Sequence, residues 1–138
     1  MQYVEYGAHN SQTVILLHGG GLSWWNYREV ALLLADKYHV VLPALDGHAD
    51  SDAPFTSIED NAARLIAYID EHHGGSVYAV GGLSLGGQIA VEMLTQRSDI
   101  CRFALLESAL EVLPGYHHGD LSLNHPEQYA QMLLNLIG

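Results

Sequence analysis

A chain of 138 residues has room for one domain, spanning residues 1–138, which would bury roughly two-thirds of its unfolded surface, enough for a real core. Asp and Glu number 16 against 5 Lys and Arg, for a net charge of −11, and the cations Arg28, Lys37, Arg64, Arg97 and Arg102 are scattered. That balance argues against nucleic acid and membrane surfaces as partners.

The elements follow in order. Gln2 to Tyr6 alternates weakly, as an edge strand does, and turns over Gly7-Ala8-His9-Asn10. Thr13 to Leu17 is a continuous apolar run, the pattern of a strand buried on both faces, and it opens into His18-Gly19-Gly20-Gly21. A helix is expected from about Asn26 to Asp36, with Tyr27, Val30, Ala31 and Leu34 on its apolar face. Tyr38 to Leu42 reads as a second buried strand stopped by Pro43, and Leu45 to Asp52 reads as a loop. Ser57-Ile58-Glu59-Asp60 resembles a capping box, and the helix it starts carries Ile58, Ala62, Leu65, Ile66 and Ile69 on one face before His72-His73-Gly74-Gly75 ends it.

Ser76 to Val80 is apolar and leads into Gly82-Leu83-Ser84-Leu85-Gly86, followed by a helix through about Gln96 with Leu85, Ile89, Ala90, Met93 and Leu94 on one face. G-x-S-x-G between a strand and a helix is a nucleophile elbow: the turn is tight, so glycines two positions either side of the serine avoid the crossing chain. Ser84 is therefore the candidate nucleophile, at a helix N-terminus whose N–H groups favour developing negative charge. Arg102 to Leu106 is a further buried strand ending at Glu107. Leu110 to Leu113 reads as a short strand, Pro114 to Asp120 as a loop, and a last helix starts near Pro126 with Tyr129, Met132, Leu133, Leu136 and Ile137 as its stripe. Strands alternating with helices predict an α/β fold, a three-layer sandwich around a mostly parallel sheet, with chemistry at the carboxyl ends of the strands. Cys101 lies in an apolar run and reads as a buried, reduced thiol. With no signal-like N-terminus and no apolar run near the roughly 18 residues of a membrane span, a soluble cytoplasmic protein is expected.

Three stretches, in this order and on these elements, resemble the α/β-hydrolase family over nearly the whole chain. Leu16-Leu17-His18-Gly19-Gly20-Gly21 is similar to its oxyanion-loop strand, Leu42 to Asp52 to its proline-glycine-histidine loop, and Gly82-Leu83-Ser84-Leu85-Gly86-Gly87 to its nucleophile elbow. Pro114 to Gly119 and Asn124-His125-Pro126-Glu127 resemble its histidine loop and last helix. Members are usually much longer, with a lid after the strand that here ends at Glu107 and a further strand whose end supplies the triad acid. Against them the chain reads as a minimal, shortened form lacking both.

The resemblance implies roles. Ser84 attacks an acyl carbonyl and loses its proton to a histidine. The backbone N–H groups of Leu85 and of Gly20, with Gly21 as the near alternative, form the oxyanion hole. Among the 9 histidines, His9, His39, His72 and His73 precede the elbow on elements that point elsewhere. His118, followed by a glycine and standing ahead of Pro126, best matches the family's loop, and His117 is its rival. His18 is read as holding its loop by a hydrogen bond, and His48 as a loop residue. Glu107 is the candidate acid, with Asp120 and Glu111 as rivals. Asp46, Asp50 and Asp52 are read as structural. A metal set of His117, His118, Asp120 and His125 is disfavoured, since the stretch has no H-E-x-x-H, and no metal or cofactor is expected.

Leu22, Trp24, Trp25, Leu83 and Leu85 are the expected apolar lining of a shallow, lidless pocket. The expected function is hydrolysis of small, short-chain carboxylic esters through an acyl-serine intermediate. Amide, thioester and carbon-carbon hydrolysis would use the same elbow, and a binding protein without turnover is the alternative outside enzymes. An uncovered edge beyond Phe103 to Leu106 also predicts a homodimer, either with each site in one chain or with the segment from about Glu111 exchanged so that His118 serves the partner's nucleophile.

Overall fold

The computed structural model describes residues 1–109 and 120–137. Five strands form one sheet: β1 (Gln2–Tyr6), β2 (Thr13–Leu17), β3 (His39–Ala44), β4 (Val77–Leu83) and β5 (Cys101–Glu107), in the order β1-β3-β2-β4-β5. β1 is antiparallel to β3, and every other pairing is parallel. The helices are α1 (Arg28–Leu34), preceded by a 3-10 turn at Trp24–Tyr27, α2 (Ile58–His72), α3 (Leu85–Gln96), α4 (Asp120–Asn124) and α5 (Pro126–Ile137). Among the described residues no helix is long and apolar enough to cross a membrane.

The continuous apolar strands alternate between two cores. Val14, Leu16, Val40 and Leu42 face α1 and α5, where Tyr27, Val30, Ala31, Leu34, Tyr129 and Leu133 are buried. Their neighbours Ile15, Leu17 and Val41 face α2 and α3, against Ala62, Leu65, Ile69, Ile89, Ala90 and Met93. A period of two in a strand sends successive side chains to opposite faces, so an uninterrupted apolar run is what helices on both sides require. Ser57 caps α2 as its sequence predicts, its Oγ accepting the Asp60 N–H at 3.0 Å.

Two boundaries differ from expectation. β3 runs through Pro43 to Ala44 because its ladder to β2 ends at Ile15 and Val41, and beyond that point its only neighbour is β1, with Tyr3 opposite Pro43. The helix expected from Asn26 starts instead at Arg28, after the 3-10 turn, in which Asn26 N–H donates to the Ser23 carbonyl at 2.9 Å. α4 begins at Asp120, the last residue of the expected loop, and covers residues for which no helix is expected. The strand expected over Leu110 to Leu113 and the loop from Pro114 to Gly119 lie outside the described residues.

The sheet order reverses around β2: the chain leaves it for β3 on one side and returns to β4 on the other. A crevice forms at the carboxyl ends of strands where such a reversal occurs. There the glycine loop after β2 meets the elbow after β4.

Candidate active site

Ser84 links β4 to α3 with φ +50 and ψ −110, a conformation that strains any residue with a Cβ. Both ends of the turn are pinned. Its N–H donates to the Glu107 carbonyl at 2.8 Å, and its carbonyl accepts the Gln88 N–H at 2.9 Å, closing the first turn of α3. Its side chain makes no capping bond to the helix. The flanking glycines are required by contact: a Cβ on Gly82 would lie 2.4 Å from the Gly86 carbonyl, and one on Gly86 would lie 2.1 Å from the Leu17 carbonyl oxygen.

The glycine loop sits against this turn. A Cβ on Gly20 would rest 3.8 Å from Leu85 Cβ, so the two proposed oxyanion donors, the amides of Gly20 and Leu85, belong to neighbouring residues. His18 anchors the loop from below. Its Nδ1–H donates to the Gly19 carbonyl at 2.8 Å and its Nε2 accepts the Leu45 N–H at 3.0 Å, which fixes the tautomer and ties the ends of β2 and β3 together. Burial pushes its pKa down to about 4, so the ring is neutral. It holds the loop, with both ring nitrogens committed to backbone groups. The Gly19 N–H donates to Asn26 Oδ1 at 3.2 Å.

The neighbouring loop after β3 is bound in the same way. Ser23 Oγ donates to the Ala49 carbonyl at 2.6 Å and Trp24 Nε1 to Asp50 Oδ2 at 3.0 Å. Buried Asp46 pairs with the Met1 ammonium at 3.1 Å and with Arg64 at 3.3 Å, and accepts from Ser51 Oγ at 3.1 Å. His48 directs Nδ1 at the Asp46 carbonyl at 3.0 Å and sets its ring edge-on to His18. These contacts tie Asp46, Asp50 and His48 into the loop.

Of the proposed lining, Leu22 and Trp24 are half-buried against the first core, and Trp25 is 46% exposed. Leu83 is different: it is 2% exposed and packs directly beneath Gly19, so it supports the loop from the core and offers no surface to a ligand. A side chain pointing inward from the last position of β4 cannot also face the crevice.

Glu107 ends β5 beside Leu83 and is 2% exposed. Its Oε1 accepts the Ser122 backbone N–H, from α4, at 3.2 Å. The Tyr27 and Tyr129 hydroxyls lie 3.2 Å apart nearby, and burial, reinforced by the Glu107 charge, holds both phenols well above their ordinary pKa. Sequence reasoning missed Asn26 and Ser122. Asn26 Nδ2 donates to Ser122 Oγ at 3.5 Å across 96 positions of chain, and both residues are buried. A polar residue inside the run Trp24-Trp25-Asn26-Tyr27 is the one local signal that could have flagged the first of them.

His118, its rival His117 and Glu111 lie outside the described residues. For Asp120 only the backbone, at the start of α4, is described. His125 stands between α4 and α5, where its carbonyl accepts the Tyr129 N–H at 3.0 Å. His39, His72 and His73, excluded as bases by their elements, gather at the opposite end of the sheet. They line a groove of about 500 Å3 with Asn10, Thr13 and Arg102.

Known proteins resemble this chain. The profile of the Alpha/beta hydrolase family matches residues 14–135. An AB hydrolase superfamily protein of Gibberella zeae is 32% identical over 113 residues, which are 79% of this chain and 40% of that protein. A soluble epoxide hydrolase of a Corynebacterium species is 29% identical over 116 residues, covering 83% of this chain and 39% of its own length. Other relatives are named haloalkane dehalogenase and lipase. Among solved structures, a thermophilic esterase from Thermogutta terrifontis superposes with a TM-score of 0.70 at 23% identity, over 76% of this chain and 39% of the esterase, a likeness of fold. The chain spans about two-fifths of the length of these proteins.

Proposed function

Since the chain belongs to the alpha/beta hydrolase family, we infer that it hydrolyses small carboxylic esters through an acyl enzyme on Ser84. Ser84 Oγ attacks the ester carbonyl and passes its proton to the imidazole of His118. The oxyanion forms against the amides of Leu85 and Gly20, and collapse expels the alcohol, which takes the proton back. Water then repeats the sequence to release the acid. Glu107 orients the imidazole and stabilises its charged form without taking its proton. Side chains, backbone amides and water supply every step.

The observation that carries this reading is the strained serine at the start of α3, with the Gly20 loop packed on the adjoining residue. The chemistry of oxygen nucleophiles narrows it within the family. Relatives named for epoxides and haloalkanes act on saturated carbon. A serine oxygen attacking such a carbon would form an ether, which has no carbonyl for water to attack and stops after one event. Attack on an acyl carbonyl leaves an ester that water can cleave, so a serine here suits acyl transfer. Leu22 and Trp24, half-buried beside the glycine loop, and the exposed Trp25 favour short acyl chains over long ones.

The test is hydrolysis of p-nitrophenyl acetate and butyrate alongside labelling by a serine-reactive phosphonate. Turnover with both esters, phosphonate on Ser84, and loss of both in Ser84→Ala are expected. Labelling without turnover would mark a ligand-binding relic, and neither labelling nor turnover would refute the nucleophile.

A further inference from the structure

The residues behind the crevice form one buried chain of hydrogen bonds joining the two halves of the proposed machinery. It begins at the oxyanion loop, where Gly19 N–H donates to Asn26 Oδ1 at 3.2 Å. It continues from Asn26 Nδ2 to Ser122 Oγ at 3.5 Å, and from Ser122 N–H to Glu107 Oε1 at 3.2 Å. It returns to the elbow through the Glu107 carbonyl, which accepts the Ser84 N–H at 2.8 Å. Asn26, Ser122 and Glu107 are 4%, 2% and 2% exposed, so water does not compete for these bonds.

We propose that Asn26 and Ser122 are positioning residues of the ester hydrolase: Asn26 holds the His18–Gly19 peptide, and through it the direction in which Gly19 presents the Gly20 N–H to the oxyanion, and Ser122 couples that setting to the Glu107 carboxylate. The proposal rests on the acyl-Ser84 reading and adds to it the residues that fix the geometry. The physical reason lies in the glycines. Gly21 has φ +78 and nothing within 4 Å of where its Cβ would be, and Gly20 is exposed although it lies against Leu85, so packing alone does not hold the pair. The Leu22 N–H closes the turn onto the Gly19 carbonyl at 3.2 Å, so the aim of the Gly20 amide follows from how Gly19 is held. His18 fixes the Gly19 carbonyl and Asn26 fixes the Gly19 N–H, so both polar groups of that residue are committed before the chain reaches Gly20. Ser122 is suited to the coupling because its side chain meets Asn26 while its own backbone amide meets Glu107. The two contacts therefore move together with α4.

An oxyanion donor acts chiefly when charge develops, so its misplacement lowers kcat more than it raises KM, and loss of one donor outright costs about 10²–10³ in kcat. Asn26→Ala displaces a donor without removing it, and about a 10- to 100-fold fall in kcat for p-nitrophenyl butyrate is expected, with KM within about threefold. Affinity for a boronate that forms a tetrahedral adduct on Ser84 should fall by a similar factor. Asn26→Asp keeps an acceptor for Gly19 N–H and can accept the Ser122 hydroxyl proton, so most of the kcat should return. Ser122→Ala keeps the backbone bond to Glu107 and should cost only a few-fold. Combined with Asn26→Ala it should add almost nothing, since both act on one path.

A merely structural pair would lower the melting temperature and leave kcat and boronate affinity unchanged in the folded variants. That result, or an Asn26→Asp no better than Asn26→Ala, would overturn the proposal. If the wild-type chain neither turns over the ester nor takes the phosphonate, the acyl-Ser84 reading falls and this proposal with it. An active wild type with an unimpaired Asn26→Ala removes the proposal alone.

Discussion

Gly86→Ala sets packing against helix propensity and reads the outcome at the site. In the second position of α3 an alanine is favoured by about 1 kcal/mol over glycine, so propensity alone predicts a more stable protein. The structure predicts the reverse. The new Cβ would lie 2.1 Å from the Leu17 carbonyl oxygen, 2.6 Å from its carbon and 2.7 Å from the His18 carbonyl oxygen. Ordinary contact starts near 3.5 Å, so α3 and the end of β2 must part by more than about 1 Å. β2 is hydrogen-bonded on both sides, to β3 and β4, and cannot yield cheaply. The shift therefore falls on the start of α3, which carries Ser84 and the Leu85 amide away from Gly20. Overpacking of this kind costs about 1–3 kcal/mol, and against backbone atoms the upper end applies. After the propensity gain a net loss of about 2 kcal/mol remains, which for a chain of this length is about 8 °C in melting temperature. A displacement near 1 Å at the reacting atoms costs about 10²-fold in kcat. Thermal unfolding followed by circular dichroism, together with p-nitrophenyl butyrate turnover, measures both. A Gly86→Ala protein that melts higher than wild type and keeps its turnover would refute the reasoning.

Ser84→Gly should be as inactive as Ser84→Ala yet more stable than it by about 1 kcal/mol in urea unfolding, because only glycine adopts φ +50, ψ −110 without strain; equal stabilities would mean that the elbow stores none. Stability should fall as pH drops from 6.5 towards 4. His18 is held neutral with a pKa of about 4, below its unfolded value, so its contribution is complete above pH 6.5 and lost on acidification, on the order of 3 kcal/mol, with half-buried His73 shifting in the same direction. Urea midpoints at pH 7 and 4.5 measure this, and His18→Gln should flatten the difference. Glu107→Gln should impair turnover about two orders of magnitude less than Ser84→Ala, since the acid orients the base without accepting its proton; an unchanged rate would leave a two-residue serine-histidine mechanism.

What the sequence revealed and what it hid divide along one physical line. Val14 to Leu17 and Val40 to Leu42 are legible as strands because burial on both faces leaves no polar position in them. The elbow is legible because part of its glycine requirement is local: a Cβ on Gly82 would lie 2.4 Å from the Gly86 carbonyl, so the spacing around the serine shows in the sequence itself. Leu83 was misread as lining: apolar character beside a nucleophile does not say which way the side chain points, and the pleat turns it into the core. Pro43 was misread as a stop because the end of the β2 ladder cannot be seen in β3 itself. Asn26 and Ser122 were invisible for a similar reason, since the contact that joins their side chains spans 96 positions. The histidines of the groove likewise meet only after the sheet assembles, Thr13 Oγ1 lying 3.3 Å from His73 Nδ1 across 60 positions.

The pairing of α1 with α5 over one face of the sheet sets an order of events during synthesis. Tyr27, Val30 and Leu34 emerge early, whereas Tyr129 and Leu133, which share their core, belong to residues 126–137. At a translation rate of roughly 5–20 residues per second, the interval between the two helices is on the order of 5 to 20 s. Strands β1 to β3 can pair within that time, and α2 and α3 can close the other face as β4 and β5 are added in chain order. The face under α1 must wait. A ribosome-bound chain of this protein therefore presents one finished side and one sticky side, and its need for a holding chaperone should peak just before α5 leaves the exit tunnel.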